Sequence, residues 1–310
     1  MRILVIGDLH GRMPKIHFKQ FDCIVCVGDF SWDGEIGEIY KSLFKKGNKS
    51  SYEEYIDKYV GKRNLRRMEK ESLARGRKIL EYLNSFGKPV FIVPGNWDQS
   101  YGETRIKDIE KTNYNYLKAF YDWWLGDKTN PALTKGLKNI KDCQYKNHKF
   151  SGVNFLGYGL VSAYESLNIR KKKIKKQVNE EEYEKLRRAY GRIHSKLDNV
   201  FKSRDKKMPT MFITHNVPYN TKLDVIKDKA SSAHNKHAGS SLAREMCIRY
   251  KPLVCVGGHI HEHFGKDRIG KTVVINAGFG KDANTLIDLN EETGKIRKIE
   301  FYKGYKKVKK

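Results

Sequence analysis

Long apolar runs are missing from this sequence. No stretch approaches the ~20 consecutive apolar residues of a membrane-spanning helix, so no membrane association is expected. Acidic residues are scarce beside basic ones: 36 Asp and Glu against 62 Lys and Arg give a net charge of +26. Such an excess invites an anionic partner, a nucleic acid or a nucleotide. The lysines are scattered along the whole chain, however, a pattern that compositional or thermophile bias also produces. Cysteine is too sparse and irregular for a disulfide scaffold, with five residues at no regular spacing. Cys23 and Cys26 form a C-x-x-C pair inside the apolar run 21–27. Side chains three apart on a strand face opposite ways, so two buried thiols are expected rather than a shared zinc. A secretory leader is also lacking, because the first apolar run stops at Gly7 and passes directly into a polar motif. These absences point to a reduced, cytoplasmic protein.

What is present is an alternation of short β-branched runs with amphipathic segments. Strands are expected at 2–6, 23–27, 90–93, 154–156, 211–214, 253–256, 273–276, 285–288 and 296–301. Ser51-x-x-Glu54 reads as a capping box, followed by Tyr52, Tyr55, Ile56, Tyr59, Leu65, Met68, Leu73, Ile79, Leu80 and Leu83 at roughly helical spacing. Gly61 and Gly76 argue against one unbroken helix there, while Gly87 and Pro89 close it. Residues 114–125 carry an aromatic-rich helical face. Asn179-x-x-Glu182 opens another helix, with Tyr183, Leu186, Tyr190, Ile193, Leu197 and Phe201 on one side and Arg187, Arg188, Arg192 and Lys196 on the others. The expected architecture is one α/β domain over 1–302 with basic helical insertions at about 41–86 and 165–207. A second sheet is built from the hairpin-rich end, and a frayed basic tail occupies 303–310. There are no internal repeats.

One pattern recurs at distant points. An apolar run stops, usually at glycine, and an Asp, Asn or His follows: Gly7-Asp8-Leu9-His10, Gly28-Asp29, Gly95-Asn96, Thr214-His215 and Gly258-His259-Ile260-His261. Carboxylate, amide and imidazole are divalent-metal donors. Seven of them at one sheet edge would make a two-metal site, whose chemistry is mainly hydrolysis at phosphorus. Asp8 and His10 can both reach forward only if the backbone leaves strand geometry, a turn that Gly11 eases, as Gly258 does before His259 and His261.

This set resembles the calcineurin-like metallophosphoesterase superfamily over residues 3 to about 288. The resemblance implies a four-layer α/β/β/α sandwich of two mixed sheets. It implies one divalent ion on Asp8, His10, Asp29 and His261, and a second on Asp29, Asn96, His215 and His259, the identity open among Mn²⁺, Ni²⁺, Fe²⁺ and Zn²⁺. It implies hydrolysis of a phosphoester by a metal-bridging hydroxide. Two secondary matches, Thr221-Lys222-Leu223-Asp224 and His237-Ala238-Gly239-Ser240, resemble the cyclic-nucleotide-phosphodiesterase-like branch. Asp22, Asp33 and Asp98 are candidates to orient ligand imidazoles.

The third motif departs from the family, which usually has Gly-Asn-His. Here Trp97 follows Asn96, and an indole donates a hydrogen bond but delivers no proton. His237 and His263 are the candidate substitutes, and Trp97 is a candidate apolar wall for a nucleobase. Substrate contacts are therefore expected from Asn96, Trp97 and His237. The leading expectation is a metal-dependent phosphodiesterase acting on nucleotide-like or small phosphoesters. Alternatives are a nuclease that tracks a backbone with the basic insertions, and a catalytically weak metal-binding interaction scaffold.

Overall fold

The computed structural model describes residues 1–35, 37–39, 60–98, 133–159, 165, 179–231 and 233–309. The first two strands, Arg2–Ile6 (β1) and Cys23–Cys26 (β2), are parallel neighbours buried on both faces, as their unbroken apolar runs require. Cys23 enters the core between the sheets and Cys26 the core beneath a helix. All five cysteines are buried free thiols.

Lys62–Asn84 (α1) runs unbroken through Gly76, correcting the expected interruption. Gly61, with φ 76°, stands at the helix N-cap. At Gly76 an added Cβ would lie 3.0 Å from Ser31 N and 3.1 Å from Phe30 C. The glycine lets α1 press against the loop that follows β2. Ser51-x-x-Glu54 lies outside the described residues, as do residues 114–125 and the basic run 170–176.

The chain continues through Val90–Ile92 (β3), Ile140–Asp142 (β4), Asn147–Phe150 (β5) and Val153–Tyr158 (β6). Glu180–Ser203 (α2) starts where Asn179-x-x-Glu182 is expected to open a helix, and the start is a capping box, with the Asn179 side chain accepting from Glu182 N. Thr210–Asn216 (β7) precedes Ser241–Tyr250 (α3), whose N-cap Ser240 accepts from Ala243 N. Val254–Gly258 (β8), Gly265–Ile269 (β9), Thr272–Asn276 (β10), Ala283–Asn290 (β11), Lys295–Lys303 (β12) and Lys306–Val308 (β13) complete the chain.

One sheet has the order β13-β12-β11-β1-β2-β3-β4 and the other β5-β6-β7-β8-β10-β9. Both are mixed: β1, β2, β3 and β4 run parallel, as do β6, β7, β8 and β10, and antiparallel strands complete the edges. The sheets face each other across one apolar core, which includes Val25, Phe91, Phe155, Ile213 and Val256. α1 covers the outer face of the first sheet through Leu73, Ile79, Leu80 and Leu83. α2 and α3 cover the second through Ile193, Leu197, Leu242 and Met246. This is the expected α/β/β/α sandwich.

Two expectations change. The terminal hairpin β11–β12 does not found the second sheet; β11 pairs antiparallel with β1 and extends the first. The basic end is not frayed over 306–308, where β13 pairs with β12. No helix among the described residues is long and apolar enough to cross a membrane.

Candidate metal centre

The polar residues of the recurring pattern gather where the parallel strands end. Asp8, Asp29 and Asn96 follow β1, β2 and β3 of the first sheet. His215 sits near the end of β7, and His259 and His261 follow β8 of the second. A hydrogen bond joins the two sheets at this edge: His215 Nδ1 lies 2.8 Å from Val27 O. Nδ1–H donates to that carbonyl, which leaves Nε2 facing Asn96 Oδ1 at 2.8 Å and Asp29 Oδ2 at 3.4 Å. The backbone contact thus sets which nitrogen is offered to an ion.

Asp29 Oδ2 also lies 3.2 Å from His10 Nε2, so one carboxylate oxygen stands between His10 and His215. Asp8 is the other hub. Its Oδ2 lies 3.3 Å from His261 Nε2 and accepts from His259 N at 2.5 Å, and its Oδ1 is 3.8 Å from His215 Nδ1. Donor atoms of Asp8, His10 and His261 lie within 4.8 Å of one another, as do those of Asp8, Asp29 and His215.

Three ligand candidates adopt left-handed backbone: His10 with φ 46°, Asp29 with φ 53° and His259 with φ 64°. Non-glycine residues visit this region at a cost, mostly at functional sites. The sequence leads one to expect the adjoining glycines to carry the turns. Gly258 has another duty: a Cβ there would lie 2.5 Å from Asp8 Oδ1. At Gly95 it would lie 2.0 Å from Asp29 Oδ1. These glycines are the space that the carboxylates occupy.

Burial alone would lower the pKa of His10, but the carboxylates of Asp29, Asp33 and Asp8 outweigh it and raise the group to about 10. His215, also buried, is raised to about 10 by Asp29 and Asp8. His259 goes the other way, to about 4, through burial and the adjacent His215 charge. Burial opposes ionisation of Asp29, yet His215 and His10 hold it well below the ordinary carboxylate range. Without a cation the cluster balances its carboxylates with imidazolium protons.

The donor set fits divalent ions. Asp8 Oδ1 and both His10 ring nitrogens are buried without a partner in hydrogen-bonding geometry. The His10 nitrogens are offset by the nearby Asp29 and Asp33 carboxylates. A buried acceptor such as Asp8 Oδ1 left without a partner typically costs about 1–3 kcal/mol, which a cation beside it would remove. Aspartate, asparagine and imidazole suit Mn²⁺, Fe²⁺, Ni²⁺ or Zn²⁺.

The auxiliary candidates separate clearly. Asp33 Oδ2 lies 3.3 Å from His10 Nδ1 and is placed to orient that ring. Asp98 accepts from Gly95 N and Ser31 N, each at 2.9 Å, so it ties the β3 loop to the β2 loop and orients no imidazole. Asp22 precedes β2 at the far edge and accepts from Arg2 N, which removes it from the centre. His263 is buried, with Nε2 2.7 Å from Val225 O, and holds a loop rather than offering a proton. His237 remains half-exposed, with Nδ1 2.7 Å from Oδ1 of the buried Asp224. Asp224 also accepts from the backbone N–H of Asn220, Thr221 and Gly239. Ala238 O accepts from Asn216 Nδ2, which fixes this loop beside His215. Trp97 N donates to Asp29 Oδ1 at 2.9 Å, and its ring meets that of His10 edge-on at 6.4 Å.

Sequence reasoning passes over two neighbours of the centre. Phe279 stacks on His261, with ring centroids 4.1 Å apart, and Arg12 lies over Phe279 at 5.0 Å. The available signal was an aromatic between two glycines, Gly278 and Gly280, and a cation two residues after His10.

The fold and the sequence both have counterparts among known proteins. A crystal structure with 16% sequence identity covers 96% of this chain and 98% of its own at TM-score 0.58, and so shares the fold. The phosphopantetheinyl hydrolase of Mycobacterium tuberculosis, 13% identical, covers 90% of this chain and 89% of its own at TM-score 0.43. An uncharacterized protein of Methanocaldococcus jannaschii is 30% identical over 283 residues, 89% of this chain and 87% of the relative. The family model for calcineurin-like phosphoesterases matches residues 1–263. The chain therefore belongs to the calcineurin-like phosphoesterase family, whose members use divalent metals to act on phosphoesters.

Proposed function

We propose that this protein is a two-metal phosphodiesterase that hydrolyses nucleotide-like or other small phosphoesters. The observation that carries the reading is the position of Asp29, whose one oxygen stands 3.2 Å from His10 and 3.4 Å from His215. One ion would rest on Asp8, His10, Asp29 and His261, the other on Asp29, Asn96, His215 and His259. When bound, such ions lower the pKa of water and offset charge on the phosphoryl oxygens. The protein's own groups do the remaining work. The Val27 carbonyl fixes the His215 tautomer, and Asp33 steadies the His10 ring. Asn96 is half-buried at the mouth, where its amide can meet a phosphoryl oxygen.

Trp97 holds the position of the usual family histidine and cannot protonate a leaving group. His237 is the group we assign to that task. Its Nδ1 is engaged by buried Asp224, which leaves Nε2 on the half-exposed side of the ring to face a substrate. A backbone-tracking nuclease is the second reading. Of the basic residues expected on the outer faces of α2 (Arg187, Arg188, Arg192 and Lys196), Arg187 is paired with Glu184.

The test is a panel of chromogenic aryl phosphodiesters and monoesters with Mn²⁺, Ni²⁺, Mg²⁺, Fe²⁺ and Zn²⁺, run at low and high salt. Metal-dependent turnover that favours the diester and changes little with salt is the expected outcome. Turnover of polynucleotide alone, falling steeply with salt, would replace this reading with a nuclease. No turnover with both ions demonstrably bound would replace it with a metal-binding scaffold.

A further inference from the structure

Phe279 is one of few large apolar side chains left exposed among the described residues, at 37%, and Met13 at 44% is another. Both flank Arg12, in sequence or in space, beside the metal centre. The placement is firm. Residues 8–15 and 278–284 are zipped together: Asp8 N donates to Gly278 O, Gly280 N to Asp8 O, Lys15 N to Lys281 O and Asn284 Nδ2 to Lys15 O. Gly278 and Gly280, with φ 80° and 87°, give the left-handed backbone that turns Phe279 outward between them. The Phe279 ring then stacks on His261 and meets the His10 ring at 5.4 Å.

Arg12 completes the arrangement. Its guanidinium lies 5.0 Å from the Phe279 centroid, a cation–π distance. Burial works to raise the pKa of Asp33, and the His10 contact, followed by the charge of Arg12, holds it below the ordinary carboxylate value. Among the described residues no carboxylate forms an ion pair with it. A planar, exposed and uncommitted guanidinium, parked on an aromatic seat next to ligand imidazoles, is suited to capturing an anion in bidentate fashion. Arg12 contacts the ring that stacks on His261 and lies outside the cluster of donor atoms, so we take its anion to be distinct from the group lying on the ions. It is a neighbour of that group.

We infer that Arg12, seated on Phe279, recognises a second anionic group of the substrate, and that the substrate class is a phosphoester carrying a further phosphate next to the scissile one. The inference rests on the phosphoesterase reading above and sharpens its substrate. It is tested on the metal-loaded full-length protein by titration calorimetry with AMP and ADP in excess metal, so the nucleoside is constant and only the second phosphate differs. The parent should bind ADP more tightly than AMP. Arg12→Ala should reduce that preference at least tenfold, and Arg12→Lys should restore only part of it, since an ammonium cannot fork. Phe279→Ala should lose most of the preference although the guanidinium remains, and the double variant should lose little more. Metal content and melting temperature, measured for every variant, should match the parent and so exclude misfolding. An unchanged ADP preference in Arg12→Ala with metal retained would overturn the inference, whether or not the parent hydrolyses aryl esters. Absent turnover with an intact Arg12-dependent preference would instead overturn the hydrolase reading alone.

Discussion

At the scale of single residues the centre was largely legible, because its signal is one-dimensional. Asp8, Asp29, Asn96, His215, His259 and His261 each end an apolar run, and parallel strands bring such ends to one edge. Supporting residues carry no such mark. Asp22, Asp33 and Asp98 look alike in the sequence, yet only Asp33 touches an imidazole. Their roles depend on which loop lies across from them. The Trp97 position gives the sharpest residue-scale expectation. Trp97→His should raise turnover of esters with high-pKa leaving groups and leave activated aryl esters little changed. Conversely, His237→Gln should lower the former by roughly 10²–10⁴-fold. A pair of Brønsted plots would check both, and parallel slopes for parent and variants would show that neither residue handles the leaving-group proton.

Elements were legible where burial imposes a pattern and illegible at edges. β2, β7, β8 and β10 are uniformly buried, as is β1 beyond Arg2, and all five read correctly. β4, β5, β9 and β13 went unseen; all border solvent at or near a sheet edge, and their polar, short segments lack alternation. The strand partner of the final hairpin was also hidden, because pairing with β1 depends on contacts across almost the whole chain. Gly76 illustrates how composition misleads inside an element. It reads as a helix breaker but is a contact point. Gly76→Ala should therefore destabilise by about 1–3 kcal/mol, because its Cβ meets the Phe30–Ser31 backbone that carries Asp29. In α2, Gly191 has nothing within 4 Å, and Gly191→Ala should stabilise by about 0.5–1 kcal/mol. Urea denaturation of the two variants separates these outcomes; equal shifts in one direction would refute the packing role of Gly76.

For the molecule as a whole, the centre couples stability to protons and to ions. His10 and His215 have folded pKa values of about 10 against an ordinary 6.5. Their contribution to the stability of the metal-free protein is thus complete below about pH 6.5 and is lost as pH rises toward 10. Asp29 is depressed in the fold, so its contribution is present above its ordinary value of 3.8 and is lost as pH falls. Chelator-treated protein should show its highest melting temperature between these limits, with a decline toward pH 10. Divalent ions should abolish the alkaline decline by taking the place of the imidazolium protons. Loading at neutral pH should accordingly release protons, seen as a calorimetric enthalpy that varies with the ionisation heat of the buffer. A flat alkaline profile in the chelated protein would contradict this linkage.

The placement of β1 has a consequence for how the molecule comes into being. Residues 2–6 lie between β2 on one side and residues 284–288 on the other. During synthesis this strand must wait, one flank bare, until residues 284–288 have left the ribosome. Asp8 hangs from the end of that strand, and its backbone is clasped by Gly278 and Gly280. Capture of an ion would therefore wait for residues 278–288, and a chain ended before them would hold all the donor residues without the means to bring them together.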